Sequence, residues 1–498
     1  MSLQFIIGSS GIGKTHYACE QIIRESMENP QHLYYIIVPE QFTMQTQKNV
    51  VEMHPGKGIL NIDVLSFQRL AYRIFEETGG AREVLLDDTG KSMVLQKLVQ
   101  QHRKNLPYLG SQMNKPGYLD EVKSLISEFM QYDIREEELQ DMLGKTGEDS
   151  LLHMKMQDVG VLYQAFLQYL EGHYMTGEGV MDALKKAIPF SDKLKKSVLL
   201  LDGFTGFTPV QMNVIRELLN VCDKVLVTVT MDAGENPLQM GKPHQLFYMS
   251  RKMVHTLSGL TSNLDDPILL KDERKGRFGN STSLDFLEKH LFRYRRSAYE
   301  KKQEEICIFA AESPVKELEE TARRIRRLVR EKNLKYGEIA VITGNLEAYK
   351  SIASQVFEES RIPYFLDEKH TILMNPFIEY IRAALEMVTK GFSYESVFRY
   401  LRCDMSGLGR EQVDMLENYV LALGIHGYKK WSEKWVRVYR TMDPEDIQVL
   451  NEYREIFVRE AEILAQGFSS GKRKVCEYCY SLYQFITDCE IQKKLKVE

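Results

Sequence analysis

Residues 8–15 read Gly8-Ser9-Ser10-Gly11-Ile12-Gly13-Lys14-Thr15, which matches the phosphate-binding pattern G-x-x-x-x-G-K-[ST] at every defined position. The apolar run at 3–7 is typical of a buried strand, and residues 15–26 have a helical pattern. The glycines let backbone N–H groups turn toward phosphate oxygens, and the helix N-terminus adds partial positive charge. We therefore expect a P-loop that binds ATP, with Lys14 on the β- and γ-phosphates and the Thr15 hydroxyl on Mg²⁺.

Strand-like and helix-like patterns alternate along the first half of the chain. Apolar runs typical of buried strands recur at 33–38, 61–65, 197–202 and 224–231. Helical periodicity fills the intervals, and this alternation is typical of parallel sheets covered by helices on both faces. We therefore predict the α/β fold of a P-loop NTPase, with parallel sheets interrupted by large helical insertions.

The same patterns divide the chain into predicted domains. Residues 306–310 and 338–343 are predicted strands separated by a long helix, so a second α/β domain is expected. Because the helical pattern is still running at residue 498, we expect the N-terminal portion of a longer protein. The predicted parts are a first P-loop domain at 1–87 and 191–260, its helical insertion at 88–190, a linker at 261–303, the start of the second α/β domain at 304–375, and a truncated helical insertion at 376–498.

Composition narrows the class of protein. Of the 498 residues, 43% are hydrophobic and 27% charged, as in an ordinary globular protein. No apolar run approaches the roughly 18 residues needed to cross a bilayer, and the first residues lack the basic region of a signal peptide. Seven scattered cysteines fit free thiols in a reducing cytoplasm, so we expect a cytoplasmic protein without a membrane partner. The net charge of -5 means that any DNA contact must come from local surface.

Asp202 is the candidate second ligand of Mg²⁺. It follows the predicted strand at 197–202, where P-loop enzymes hold the metal with a carboxylate. Most P-loop motors place a glutamate at or near the next position to activate water, and here that residue is Gly203. We therefore expect a site that binds Mg–nucleotide and hydrolyses it poorly, and we assign no catalytic residue. The alternative is that Asp202 is only a turn residue after a strand.

Together with the P-loop, several short segments resemble the B subunit of the AddAB (RexAB) helicase–nuclease family. They include Val-Pro-Glu-Gln-Phe-Thr at 38–43, Leu-Ser-Phe-Gln-Arg-Leu at 65–70 and Asp-Gly-Phe-Thr-Gly-Phe-Thr-Pro at 202–209. Ile-Pro-Tyr-Phe-Leu-Asp at 362–367 and Asn-Pro-Phe-Ile at 375–378 are similar to the second motor-like domain of the same family. The resemblance runs through nearly the whole chain.

This resemblance implies a UvrD/RecB-like superfamily-one helicase fold with degenerate motor motifs. Family members act as a heterodimer with an A subunit, the main translocating motor, and process double-strand DNA breaks for homologous recombination. The B subunit is associated with recognition of the Chi sequence in single-stranded DNA. The family also has a C-terminal nuclease domain with a 4Fe–4S cluster held by four cysteines, and that cluster is expected only in the region after residue 498.

The chain departs from active motors of this family at two places. Active UvrD-like motors read Asp-Glu followed by Gln and Asp, whereas this sequence has Gly203, Thr205 and Gly206. The predicted sheet begins at Leu3, which leaves no room upstream for the adenine-contacting Gln motif. Both departures argue against helicase activity, while the intact P-loop argues for nucleotide binding.

Candidate DNA contacts lie after the predicted strands. Motor-like folds bind single strands there by backbone contacts and base stacking. The alternative is that the aromatic residues pack beneath loops. The candidates are Phe42, Thr43, Ser66, Phe67, Arg69, Phe207 and Thr208.

Cys476 and Cys479 form a C-x-x-C pair with Cys489 beyond it. A metal site needs a fourth ligand, and the sequence offers no close histidine or cysteine to complete one. We therefore interpret these residues as buried thiols on a helix.

Two other functions remain open at this point. An autonomous superfamily-one helicase would hydrolyse ATP strongly in response to DNA. A non-catalytic scaffold with a vestigial P-loop would bind no nucleotide. The main hypothesis is an ATP-binding, DNA-binding subunit of a heterodimeric helicase–exonuclease.

Overall fold

The structure is a computed structural model that describes residues 2–80, 83–113, 115–147, 150–232, 234–271, 276–293, 297–367, 372–439, 442–443, 445–469 and 474–495. The chain divides into two compact units, Met1–Phe309 and Ala310–Glu498. Among the described helices, none is long and apolar enough to span a bilayer.

The first unit contains all of the described strands. They are β1 (Ser2–Gly8), β2 (Leu33–Ile37), β3 (Ile62–Leu65), β4 (Val84–Leu86), β5 (Tyr174–Thr176), β6 (Ser197–Leu201), β7 (Lys224–Thr230) and β8 (Ile268–Leu269). Its helices are α1 (Lys14–Glu28), α2 (Thr43–Met53), α3 (Phe67–Thr78), α4 (Asp88–His102), α5 (Leu109–Gln112), α6 (Pro116–Gln131), α7 (Glu136–Gly144), α8 (Leu151–Leu170), α9 (Gly179–Ala187), α10 (Pro209–Val221), α11 (Tyr248–Ser258) and α12 (Thr282–His290).

Six strands form one parallel sheet in the order β3-β2-β6-β7-β1-β8. Strand β6 is buried along its whole length, because helices cover both faces of the sheet. Leu199 on one face packs with residues of α3, α10 and α11, and Leu200 on the other packs with residues of α1 and α2. The predicted P-loop α/β fold is therefore confirmed for this unit.

The insertion between α3 and β6 has its own hydrophobic core, formed mainly by α4, α6 and α8. Strands β4 and β5 pair in parallel where the chain enters and leaves it, a feature that the helical pattern did not predict. Lys91 on α4 is buried beside them, and its Nζ lies 3.0 Å from Oε2 of Glu178. This ion pair links the first helix of the insertion to the turn before α9.

The predicted linker at 261–303 includes part of the first sheet. Strand β8 pairs in parallel with β1, and the N–H of Leu270 donates to the carbonyl oxygen of Ile7 over 2.8 Å. The polar composition of this segment concealed a strand of only two residues.

In the second unit, the described regular secondary structure is helical, and coil joins the helices. Its helices are α13 (Pro314–Glu331), α14 (Leu346–Glu359), α15 (Pro376–Thr389), α16 (Tyr394–Leu401), α17 (Arg410–Leu423), α18 (Tyr428–Ser432), α19 (Asp446–Gly467), α20 (Val475–Asp488) and α21 (Ile491–Lys494). Helices α15–α21 share one core that contains Trp431 and Phe457, and α13 packs on α14 in a smaller cluster.

The strands predicted at 306–310 and 338–343 are wrong for this structure, because neither segment is in a ladder. A strand needs a neighbour for its backbone N–H and C=O groups, and these segments have none among the described residues. Two of their apolar side chains face outward: Ile308 is 94% exposed and Ile342 91%. An apolar run of this length indicates a strand only when a second strand lies beside it.

Candidate nucleotide site

The P-loop joins the carboxyl end of β1 to the first residue of α1, Lys14. Gly11 and Gly13 have φ values of 76° and 96°, a left-handed conformation that costs glycine little. A Cβ on Gly8 would lie 2.6 Å from Cγ2 of Ile12, so this position also requires glycine. The loop therefore curls at the N-terminus of a 15-residue helix, where backbone N–H groups and the helix dipole favour an anion.

Lys14 folds back over this loop. Its Nζ donates to the carbonyl oxygen of Ser9 over 2.8 Å. Burial lowers the pKa of Lys14, and the nearby carboxylates of Asp202 and Glu288 partly oppose that effect. A cation held in this way is ready to exchange its carbonyl contact for phosphate oxygens.

Thr15 and Asp202 meet as the sequence predicts. The Thr15 hydroxyl donates to Oδ1 of Asp202 over 3.1 Å, across 187 residues of sequence. Asp202 is buried at the carboxyl end of β6, and its N–H donates to the carbonyl oxygen of Ile37 on β2. A hydroxyl and a carboxylate oxygen at the start of a P-loop helix are ligands that suit Mg²⁺.

Thr228 completes this arrangement, and sequence reasoning missed it. Its hydroxyl, on the neighbouring strand β7, donates to the same Oδ1 of Asp202 over 2.6 Å. The side chain is buried, so this bond is sheltered from water. A threonine in the apolar run at 224–231 is the signal that could have identified it, because a buried hydroxyl needs a partner.

Gly203 lies beside Asp202 with a φ of 78°. This left-handed backbone is unfavourable for a side chain with a Cβ. The position therefore lacks a water-activating carboxylate, and its backbone conformation is also unsuited to one.

Arg277 is a second residue that sequence reasoning missed. Its N–H donates to the carbonyl oxygen of Gly11 over 2.8 Å, and with Lys14, Thr15 and His16 it lines a cleft of about 800 Å³ at the P-loop. The residue lies in the segment predicted to be a linker, so its sequence gave no reason to connect it with the P-loop. The guanidinium adds a cation to the wall of this cleft.

The predicted DNA contacts differ in how much surface they offer. Phe42 is 49% exposed, and Arg69 is also exposed. Thr43 and Ser66 are buried, and both side chains make local hydrogen bonds. The Thr43 hydroxyl donates to the Glu40 carbonyl oxygen, and the Ser66 hydroxyl caps α3 by accepting from the N–H of Arg69.

The aromatic candidates form a cluster with Phe204. Phe67 is 6% exposed and contacts Phe204 and Phe207 edge-on, so its ring has little free face for a base. Phe207 is half-buried, and Thr208 caps α10 by accepting from the N–H of Gln211. Roles for these residues in DNA binding stay predictions, and Phe42, Arg69 and Phe207 offer the most accessible surface.

Comparison with known proteins relates this arrangement to a family. Residues 5–288, more than half of the chain, match the family described as ADDB, N-terminal. This chain belongs to the ADDB family. Residues 279–489 of this ADDB chain also match the UvrD-like helicase C-terminal domain, which confirms the predicted helicase-type fold class.

Curated relatives of this ADDB chain are named as the B subunit of an ATP-dependent helicase/deoxyribonuclease. The protein from Lachnoclostridium phytofermentans is 40% identical over all of this chain and 44% of its own length. Those from Clostridium novyi and Caldanaerobacter subterraneus subsp. tengcongensis are each 33% identical over all of this chain and 43% of their own length. The chain therefore spans less than half the length of these relatives.

The cysteines of this ADDB chain differ from prediction in one respect. Cys476 and Cys479 are exposed on α20, whereas Cys489 is buried. The prediction of buried thiols is wrong for the first two, because the buried face of α20 is formed by Ser481 and Phe485 instead. Among described residues, no cluster of three or more His, Cys, Asp or Glu side chains is placed to hold a metal ion.

Proposed function

We propose that this chain is the ATP-binding, DNA-handling portion of one subunit of a heterodimeric helicase–exonuclease, which resects double-strand DNA breaks for homologous recombination. The observation that carries the proposal is the shared Oδ1 of Asp202, held 3.1 Å from the Thr15 hydroxyl beside an intact P-loop. The relatives' name, which describes the B subunit of an ATP-dependent helicase/deoxyribonuclease, supports it. The partner would be a motor A subunit, and the complex would act on double- and single-stranded DNA in the cytoplasm.

The residues present fit a Mg²⁺–ATP complex. The P-loop N–H groups and Lys14 would bind the phosphates, while Thr15 and Asp202 would hold the metal. Bound Mg²⁺ neutralises charge on the β- and γ-phosphates. Gly203 offers no carboxylate to orient water, so hydrolysis by this chain should be slow even when binding is tight.

A motor site of this kind suits recognition better than translocation. Tight binding with slow hydrolysis keeps the nucleotide-bound state long-lived, and a long-lived state can hold a particular single-stranded sequence. We infer that the degenerate site serves recognition of Chi in single-stranded DNA, read by the exposed Phe42 and Arg69 and the half-buried Phe207 at the carboxyl edge of the sheet. The motor partner would then provide the movement.

The test is a titration of the purified chain with fluorescent ATP and Mg²⁺. Wild type should bind, and Lys14→Ala should lose at least about 100-fold in affinity, because a charge-assisted phosphate contact is removed. Lys48→Ala, an exposed lysine of α2, is the matched control and should bind normally. Absence of binding by wild type would instead favour a scaffold with a vestigial P-loop.

A second measurement distinguishes the proposed subunit from an autonomous helicase. ATP turnover by the same chain should remain low with and without single-stranded DNA. Strong DNA-stimulated turnover would identify an autonomous helicase and overturn the proposed role of Gly203.

A further inference from the structure

A cleft of about 780 Å³ separates the helical insertion from the sheet of the first unit. One wall is formed by α10 and α11, and the other by the end of α6 and the start of α7. Phe207, at the carboxyl edge of the sheet, lines the same cleft. The cleft thus shares one residue, Phe207, with the predicted DNA contacts.

The α10–α11 wall is cationic. Arg216 and Lys252 line it, both exposed, together with the thioether of Met249. Arg216 contacts only an amide oxygen, that of Asn213 at 3.4 Å, and no described carboxylate pairs with either cation. Neither charge is neutralised, so this wall attracts an anion.

The α6–α7 wall has the opposite character. It carries the carboxylates of Asp133, Glu137 and Glu138 against the single cation of Arg135. Glu138 is already engaged, because its Oε2 accepts from the N–H of Arg135 over 3.0 Å and caps α7. Tyr132 on the same wall is 58% exposed, which leaves a ring face free for stacking.

We propose that this cleft binds single-stranded DNA in a defined orientation, with phosphates along Arg216 and Lys252 and bases toward Tyr132, Asp133 and Glu137. The inference rests on the proposed DNA-handling function and names the path of the strand. Unpaired cations recognise the backbone, and an exposed aromatic ring stacks on a base of any kind. The difference in charge between the walls sets which way the bases point.

The carboxylate wall adds a base preference. Carboxylates accept hydrogen bonds from exocyclic amino groups, which cytosine, adenine and guanine carry and thymine lacks. Comparison of oligo(dC) with oligo(dT) isolates this effect, because both bases are single rings of similar stacking area. We expect oligo(dC) to bind at least about fivefold more tightly than oligo(dT).

The experiment is fluorescence anisotropy of labelled 15-mers of dC and dT with the full chain at several salt concentrations. Arg216→Gln/Lys252→Gln should weaken both oligomers at least about tenfold and reduce the slope of log K against log salt by about 1.4, or 0.7 for each lost phosphate contact. Asp133→Asn/Glu137→Gln should not weaken oligo(dT) binding, because it removes negative charge near the phosphates, and it should abolish the preference for oligo(dC). Lys48→Gln/Lys57→Gln, on the α2 side of the sheet, is the charge-matched control.

The outcomes separate this proposal from the function on which it rests. If Arg69→Ala weakens binding but Arg216→Gln/Lys252→Gln does not, DNA handling stands and the cleft is not the path. If the carboxylate variants keep the preference for oligo(dC), the assigned orientation of the bases is wrong. If wild type binds neither oligomer, both the cleft and the DNA-handling function fail.

Discussion

Thr228 donates a 2.6 Å hydrogen bond to Oδ1 of Asp202, the same oxygen that accepts from Thr15. Two hydroxyls on separate elements therefore fix the rotation of one buried carboxylate. A metal ligand aligned in this way needs little reorganisation when Mg²⁺ arrives.

Thr228→Val should weaken Mg²⁺-dependent nucleotide affinity by about 3- to 10-fold, since one net hydrogen bond contributes about 0.5–1.5 kcal/mol. The measurement is nucleotide titration across Mg²⁺ concentrations. Thr228→Ser keeps the hydroxyl and should bind like wild type. Unchanged Mg²⁺ dependence in the valine variant would contradict a positioning role for Thr228.

Gly203→Glu should not create a motor. The φ of 78° at this position makes any residue with a Cβ strained, at a cost of about 1–2 kcal/mol, and the glutamate would lack the polar neighbours that couple hydrolysis to domain closure. We expect lower stability with ATP turnover still low. Gly203→Asn, which tolerates the left-handed region better, is the control for backbone strain. Robust DNA unwinding by the glutamate variant would refute the coupling argument.

Lys91→Met should destabilise the helical insertion by about 3 kcal/mol, because it leaves the largely buried Glu178 without its partner. Burial alone would raise the pKa of Glu178, but hydrogen bonds and the charge of Lys91 outweigh it and lower that pKa. The pair therefore stabilises the fold above the ordinary carboxyl pKa and loses that effect as pH falls through the lowered value.

Hydrogen exchange of the backbone amides in α4 and α9 measures the destabilisation caused by Lys91→Met. Lys91→Met/Glu178→Gln should recover more than half of it, since the uncompensated charge is gone. Lys97→Met, an exposed position on α4, is the matched control. Equal exchange in the single and double variants would argue against an ion-pair effect.

Glu460 should make the second unit less stable as pH rises. Burial raises the pKa of Glu460, although Lys494, the Tyr400 hydroxyl and the N–H of Gly407 oppose this. The folded state then holds the proton more tightly than the unfolded chain, so stability falls from the ordinary glutamate pKa up through the raised one. Glu460→Gln should remove this dependence.

Urea unfolding followed by tryptophan fluorescence measures the free energy of unfolding of the second unit, because both tryptophans of the chain are buried there. The free-energy advantage of Glu460→Gln over wild type should grow as pH rises from the ordinary glutamate pKa through the raised pKa of Glu460, and then level off. Glu462→Gln, exposed on the same helix, is the comparison. Parallel profiles for wild type and Glu460→Gln would disprove the assignment.

The first sheet was predictable because its strands are local apolar runs. The P-loop fixes β1 and α1, and the runs before Asp202 and Met231 have the length and composition of buried strands. The contact of Thr15 with Asp202 followed from the motif, since parallel strands present their carboxyl ends at one edge.

What escaped prediction depends on contacts distant in sequence. Strand β8 is two residues long, and only its alignment with Ile6 and Ile7 makes it a strand. Arg277 acquires its place from a backbone bond to Gly11. The runs around Ile308 and Ile342 show the reverse case, since an apolar pattern alone does not supply the neighbour that a ladder requires.

Strand β1 pairs with β7 through Ser2 and Lys224, and with β8 through Ile6 and Ile268. During synthesis, the ribosome must add more than 200 residues before β1 meets either neighbour. At 5–20 residues per second this interval is on the order of 10–50 seconds, during which the apolar segment of β1 has no strand to pair with. The phosphate loop is therefore translated long before the strands that pair with β1 and is among the last parts of its unit to mature, so a nascent-chain chaperone has time to act on it.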